Sequence, residues 1–78
     1  MDLLNNLGKL HTTDLGVKRI KRNLSLEVED VVDWCRLRIK SPQATIERRG
    51  KNWYVNVDGN VITINAYSYT IITAHNVK

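Results

Sequence analysis

Several things are scarce in this sequence. Its 78 residues include one cysteine, one proline, four glycines and no phenylalanine. A lone Cys35 cannot form a disulfide within the chain, and it fits a reducing, cytoplasmic setting. It also rules out cysteine-rich zinc modules, and no His/Cys cluster at ligand spacing takes their place, so neither a metal nor another cofactor is expected. Apolar residues never run long enough to span a bilayer, and Met1 to Leu10 lacks the basic-then-apolar order of a signal peptide. The expectation is a soluble protein with no membrane role. The chain also lacks a phosphate-cradling glycine loop, the H-E-x-x-H and G-x-S-x-G signatures and a calcium loop. Acidic side chains are the scarcer sign: 12 Lys and Arg face 8 Asp and Glu, a net charge of +4. That balance suits RNA or an acidic partner protein, and it equally suits plain solubility.

What is present reads as one domain over residues 1–78, with no repeat or linker to divide it. A chain this short has a small core and an expected stability of roughly 4–12 kcal/mol. Asp2 to Leu10 can form a short helix with Leu3, Leu4 and Leu7 on one side. His11-Thr12-Thr13 reads as a break and a cap, followed by a helix with Val17, Ile20 and Leu24 on one face. Ser25 is expected to cap a further helix over about 26–40. Its stripe is Val28, Val31, Val32, Cys35 and Ile39, acidic residues crowd its start and basic ones its end, and Asp33 can pair with Arg36. Pro42 ends the helical part, about 2–40.

From about 43 to 76 the period changes to two. Ile46 and Arg48 alternate with Glu47 and Arg49, and Trp53, Val55 and Val57 with Tyr54 and Asn56. Ile62 and Ile64 alternate with Thr63 and Asn65, and Ile71, Thr73 and His75 with Ile72 and Ala74. Turns are expected at Gly50-Lys51-Asn52, at Asp58-Gly59 and near Tyr67-Ser68. The fold class is therefore α+β: two to three N-terminal helices packed on a four-stranded antiparallel β-meander. One sheet face is apolar and covered by the 26–40 helix; the other is polar, aromatic and open.

Candidate chemistry is sparse. His11 and His75 would supply general acid and base if the fold brought them together; otherwise they are surface or capping groups. Basic residues fall in three groups: Lys18, Arg19, Lys21 and Arg22; Arg36, Arg38 and Lys40; Arg48, Arg49 and Lys51. Arginine forks match phosphate oxygens, although charged helix faces are commonly just solvated. Trp53 belongs with the core by alternation. Tyr54 and Tyr67 share the opposite parity and would stack bases on the open face. Trp34 lies off its helix stripe, where it would cover the N-terminal helix or form a contact surface.

The stretches LHTTDLGVKRIKRNL, DVVDWC, RRGKNWYV and ITINAYSYTIITAH resemble a small bacterial family, domain of unknown function 3781, over about Leu10 to His75. That resemblance implies no particular activity. A looser pattern is similar to small toxin-type ribonuclease domains of the barnase, colicin D and RelE kind. It consists of a histidine before a helix, an R-I-x-R run, a second helix, a proline and a V/I-x-T strand end, matched by His11, Arg19, Ile20, Arg22, Pro42 and Thr73. The likeness implies RNA lying across the sheet and metal-independent chemistry, with His11 as acid or base and Thr73 orienting the substrate. An obvious Glu/His pair of the barnase kind is missing.

The expectation from all this is an RNA-binding, ribonuclease-like domain of the toxin type. Its catalytic candidates are His11 and Thr73; its RNA-binding candidates are Arg19, Arg22, Arg48, Arg49, Lys51, Tyr54 and Tyr67. The rival expectation is a protein-interaction module without chemistry, such as an antitoxin-like partner or a mobile-element inhibitor. Either could be a homo-oligomer.

Overall fold

A computed structural model describes residues 3–76; Asp2, the expected start of the first helix, lies outside them. Leu4–Lys9 forms a 3-10 segment, kinked at Asn6 (φ −130°, ψ 27°). Helix α1 covers Asp14–Leu24 and helix α2 covers Val31–Ile39. Strands β1 (Thr45–Arg49), β2 (Asn52–Val57), β3 (Asn60–Asn65) and β4 (Ile71–Asn76) pair antiparallel in the order β1-β2-β3-β4. This is the α+β meander that the change of period implies.

The Thr13 hydroxyl accepts from the Gly16 N–H, so the cap of α1 falls where the threonines place it. Ser25 does not start the next helix. It closes α1 in the left-handed region (φ 54°), with its own N–H and that of Leu26 bonded back to the carbonyls of Arg22 and Lys21. Those bonds are the usual close of a helix and cannot also open a new one. Asp30 caps α2 instead, accepting from the Asp33 N–H. The helix is therefore shorter than the expected 26–40, and Glu27 and Glu29 precede it.

Both tight hairpins follow backbone sign. Asp58 (φ 51°) and Gly59 (φ 77°) give the two-residue turn that matches strand twist. Gly50 (φ 60°) and Lys51 make the first turn, with Asn52 already in β2 opposite Arg49. The third turn hangs on Asn65, whose Oδ1 accepts from the N–H groups of Tyr67 and Ser68, each at 2.9 Å.

The core gathers Leu3, Leu7 and Leu10 from the first segment, Ile20 from α1, and Val31, Cys35 and Ile39 from α2. From the sheet come Trp53, Val55, Val57, Ile62, Ile64, Ile71 and Ala74. Expected parity holds through β3 and fails in β4. Register passes from Thr63↔Thr73 to Ile64↔Ile71, so one extra residue bulges out. Ile71 and Ala74 therefore both face the core, while Thr73 and His75 stand on the outer face.

The two sheet edges are treated differently. Helix α1 and the residues that lead into it run along β4 and bond its outward carbonyls: Thr12 Oγ1, just before the cap, donates to Ile71 O (2.8 Å) and Asn23 Nδ2 to Ala74 O (3.3 Å). Arg19 reaches Ile72 O at 3.5 Å. At the β4 start, His11 bridges Tyr69 and Ile71 through its own N–H and carbonyl. On β1, every residue but Ile46 is exposed.

Candidate nucleic-acid interface

The β1–β2 and β3–β4 turns lie at the same end of the meander, tied by Ala66 N–H donating to Lys51 O (2.7 Å). Beside them Lys9 ends the 3-10 segment. Lys9, Arg48, Trp53, Ala66, Tyr67 and Tyr69 together line a cavity of about 460 Å³. Its wall is the Trp53–Tyr69 ring pair, 5.3 Å between centroids and tilted by 50°. Both rings are buried, while Tyr67 stands 73% exposed at the mouth. Tyr69 keeps its place by adopting a left-handed backbone (φ 60°), strained for a side chain of that size.

Two cations lie on these rings. The Arg48 guanidinium is 5.5 Å from the Tyr67 centroid and 5.9 Å from that of Trp53, and Lys9 Nζ is 5.4 Å from Tyr69. Arg48 Nε is held by Gly50 O at 2.8 Å, which leaves its terminal N–H groups out of that bond. One exposed ring, Tyr67, for a base and the Arg48 N–H groups for a phosphate thus share one recess, walled by the buried Trp53 and Tyr69.

The remaining sequence candidates are dispersed. Tyr54 and Tyr67 do not share a face: Tyr54 is on the outer face under the Arg49 guanidinium (4.4 Å), and Tyr67 meets Arg48 on the opposite side. The parity expected for Tyr67 breaks because it belongs to the turn, past the end of β3. Lys51 is exposed at the hairpin tip and Arg22 is exposed on α1. Arg19 is exposed on α1 at the β4 edge, where one N–H lies 3.5 Å from Ile72 O.

His11 and His75 do not meet. His11 pairs with Thr70 and His75 lies five residues further along β4, roughly 16 Å at strand spacing. Thr73, three residues from Thr70, is likewise roughly 10 Å away, and its hydroxyl accepts from Asn23 Nδ2 at 3.3 Å. The fold does not assemble the expected catalytic pair.

His11 has other partners. Its Nδ1 lies 3.1 Å from Lys9 O, a group that only accepts, so Nδ1 carries a proton there. Nε2 and Thr70 Oγ1 share a hydrogen bond at 3.1 Å, and Thr70 Oγ1 is in turn 2.7 Å from Ser68 Oγ. This chain orients the ring and pins the β3–β4 turn. Among the described residues, no three His, Cys, Asp or Glu side chains gather closely enough to hold a metal ion. No described helix is long and apolar enough to cross a membrane.

Sequence reasoning missed Lys9, Tyr69 and the site role of Trp53. One signal was present: a two-residue turn at Gly50-Lys51 sets Arg48 directly opposite Trp53. Reading Asn52 as part of the turn hid that pairing.

Fold and site together define a small α+β domain with a cation-and-aromatic recess at one end of an antiparallel meander. The chain belongs to the family described as protein of unknown function (DUF3781), whose model matches residues 4–75. No curated protein and no solved structure matches it.

Proposed function

We propose that this domain binds single-stranded RNA, seating one base and its phosphate in the recess of Lys9, Arg48, Trp53, Tyr67 and Tyr69. The observation that supports this reading is the convergence of three aromatic rings and two cations around one cavity. Base stacking on the exposed Tyr67 ring tolerates any sequence, and Arg48 supplies the phosphate contact. The net charge of +4 points the same way. The proposal is binding rather than cleavage, because His11 and Thr73 stand apart and His11 is engaged by Lys9 and Thr70.

An NMR titration with a single-stranded RNA hexamer tests it. The Trp53 indole and Tyr67 ring resonances are expected to move, while Trp34, which lies under Arg38 on α2, stays still. Shifts confined to Trp34, or none at all, would overturn the proposal.

The rival, a protein-interaction module, draws on Leu15 and Leu37, which are 70% and 57% exposed on α1 and α2. A partner whose binding is lost on Leu15→Ser or Leu37→Ser, with RNA affinity absent, would favour it.

A further inference from the structure

Neighbouring strand residues point to opposite faces, and here both members of a neighbouring pair are arginines. Arg48 stacks against Tyr67 and Trp53 on the recess side; Arg49 stacks on Tyr54, 4.4 Å away, on the outer side. Directly after them the chain reverses at Gly50 and Lys51, with Lys51 exposed at the tip. The hairpin end thus carries a cation–aromatic stack on each face and a third cation on the rim. Next to Tyr54 on the outer face, Asn52 Nδ2 lies 3.5 Å from its hydroxyl and Glu47 pairs with Arg49 at 3.5 Å.

A guanidinium stacked on a ring still presents its N–H edge, so each stack can take a base on one side and a phosphate on the other. A single strand is flexible enough to turn around a hairpin rim; a duplex is not.

Resting on the pocket reading above, we propose that the RNA strand does not end in the recess. It passes from Arg48 over the Lys51 rim and lays a further base on Tyr54 beside Arg49. The ligand is then a single strand of about four nucleotides, at the low end of single-strand site sizes.

Oligoadenylates of one, two, four and six nucleotides, titrated by calorimetry against the wild type, Tyr54→Ala and Arg49→Ala, test this. Wild-type affinity is expected to rise roughly 5- to 150-fold from the mononucleotide to the tetranucleotide, the range one added stacked base supplies, and then to level off. In each variant the ratio of tetranucleotide to mononucleotide affinity falls several-fold, with melting temperatures confirming that the variants fold. A duplex of the same length shows no comparable gain. A wild-type ratio near one, or a ratio indifferent to both substitutions, overturns the path around the rim while the recess stands. Absence of binding by every oligonucleotide overturns the path and the recess together.

Discussion

At the residue scale, Cys35 and Arg48 show how burial and exposure divide the chain's polar groups. Cys35 has no solvent exposure, and desolvation pushes its thiol from 9.0 up to about 12. Below pH 9 the thiol is neutral in the folded and the unfolded chain alike. Between 9 and 12 the unfolded chain releases its proton while the folded chain keeps it, so stability falls as pH rises. The slope from this group alone approaches about 1.4 kcal/mol per pH unit. Urea denaturation at pH 8 and pH 10 is expected to show a smaller loss for Cys35→Ala than for the wild type; equal losses would refute the assignment. At neutral pH a thiol reagent should label Cys35 only after unfolding. Arg48 is the opposite case, exposed and held between a backbone carbonyl and two rings. Its removal should leave the fold intact, since the guanidinium is exposed and its contact with the Trp53 ring is worth about 1 kcal/mol at such a site.

At the element scale, helix α1 and the edge of β4 are bound through a small hinge of residues. A Cβ added at Gly16 would collide with the Thr12 Oγ1, the group that donates to Ile71 O. A helical Gly→Ala change ordinarily stabilises by about 1 kcal/mol. Gly16→Ala is instead expected to destabilise by about 1–2 kcal/mol, because Thr12 must turn away and leave the β4 carbonyl unpaired. Adding Thr12→Ala should recover part of that loss, and a stabilised single variant would show the packing to be looser than drawn. Ser25 offers a second sign test. As the left-handed close of α1, Ser25→Gly should stabilise by about 0.5–1 kcal/mol, whereas Asp30→Ala should cost about 1 kcal/mol. An N-capping Ser25 would not be improved by glycine in this way.

These elements also mark how far the sequence could be read. The period-two pattern from Ile46 to Ile64 and the Asp58-Gly59 turn stand in the local residues, and they led to the sheet. Ser25 was ambiguous because serine serves as a cap at a helix start and can, under strain, take the left-handed close. The β4 bulge is invisible locally, since it depends on Ile71 and Ala74 both finding the core. The recess was hidden for a related reason. Lys9, Trp53 and Tyr69 lie far apart in sequence, and alternation assigned Trp53 to the core, where its ring indeed sits at 5% exposure. Core membership and a place in the site wall were not exclusive.

On the scale of the whole molecule, the helices satisfy one edge and one face of the sheet and leave the hairpin end uncovered. There, Lys9, Arg48, Arg49 and Lys51 stand beside the exposed Tyr67, the half-buried Tyr54 and the buried Trp53 and Tyr69, with Glu47 the acidic partner of Arg49. Arg19 and Arg22, by contrast, belong to α1 at the β4 side. The basic residues therefore separate into a hairpin end suited to phosphate and a helix committed in part to structure. The most direct measurement is fluorescence anisotropy of a labelled single-stranded RNA across a salt series, for the wild type, Arg48→Ala and Arg19→Ala. Loss of one phosphate contact should weaken binding several-fold and reduce the salt slope by about 0.7 in Arg48→Ala alone. An Arg48→Ala protein that binds like the wild type, or a deficit seen only in Arg19→Ala, would contradict an RNA site in the recess.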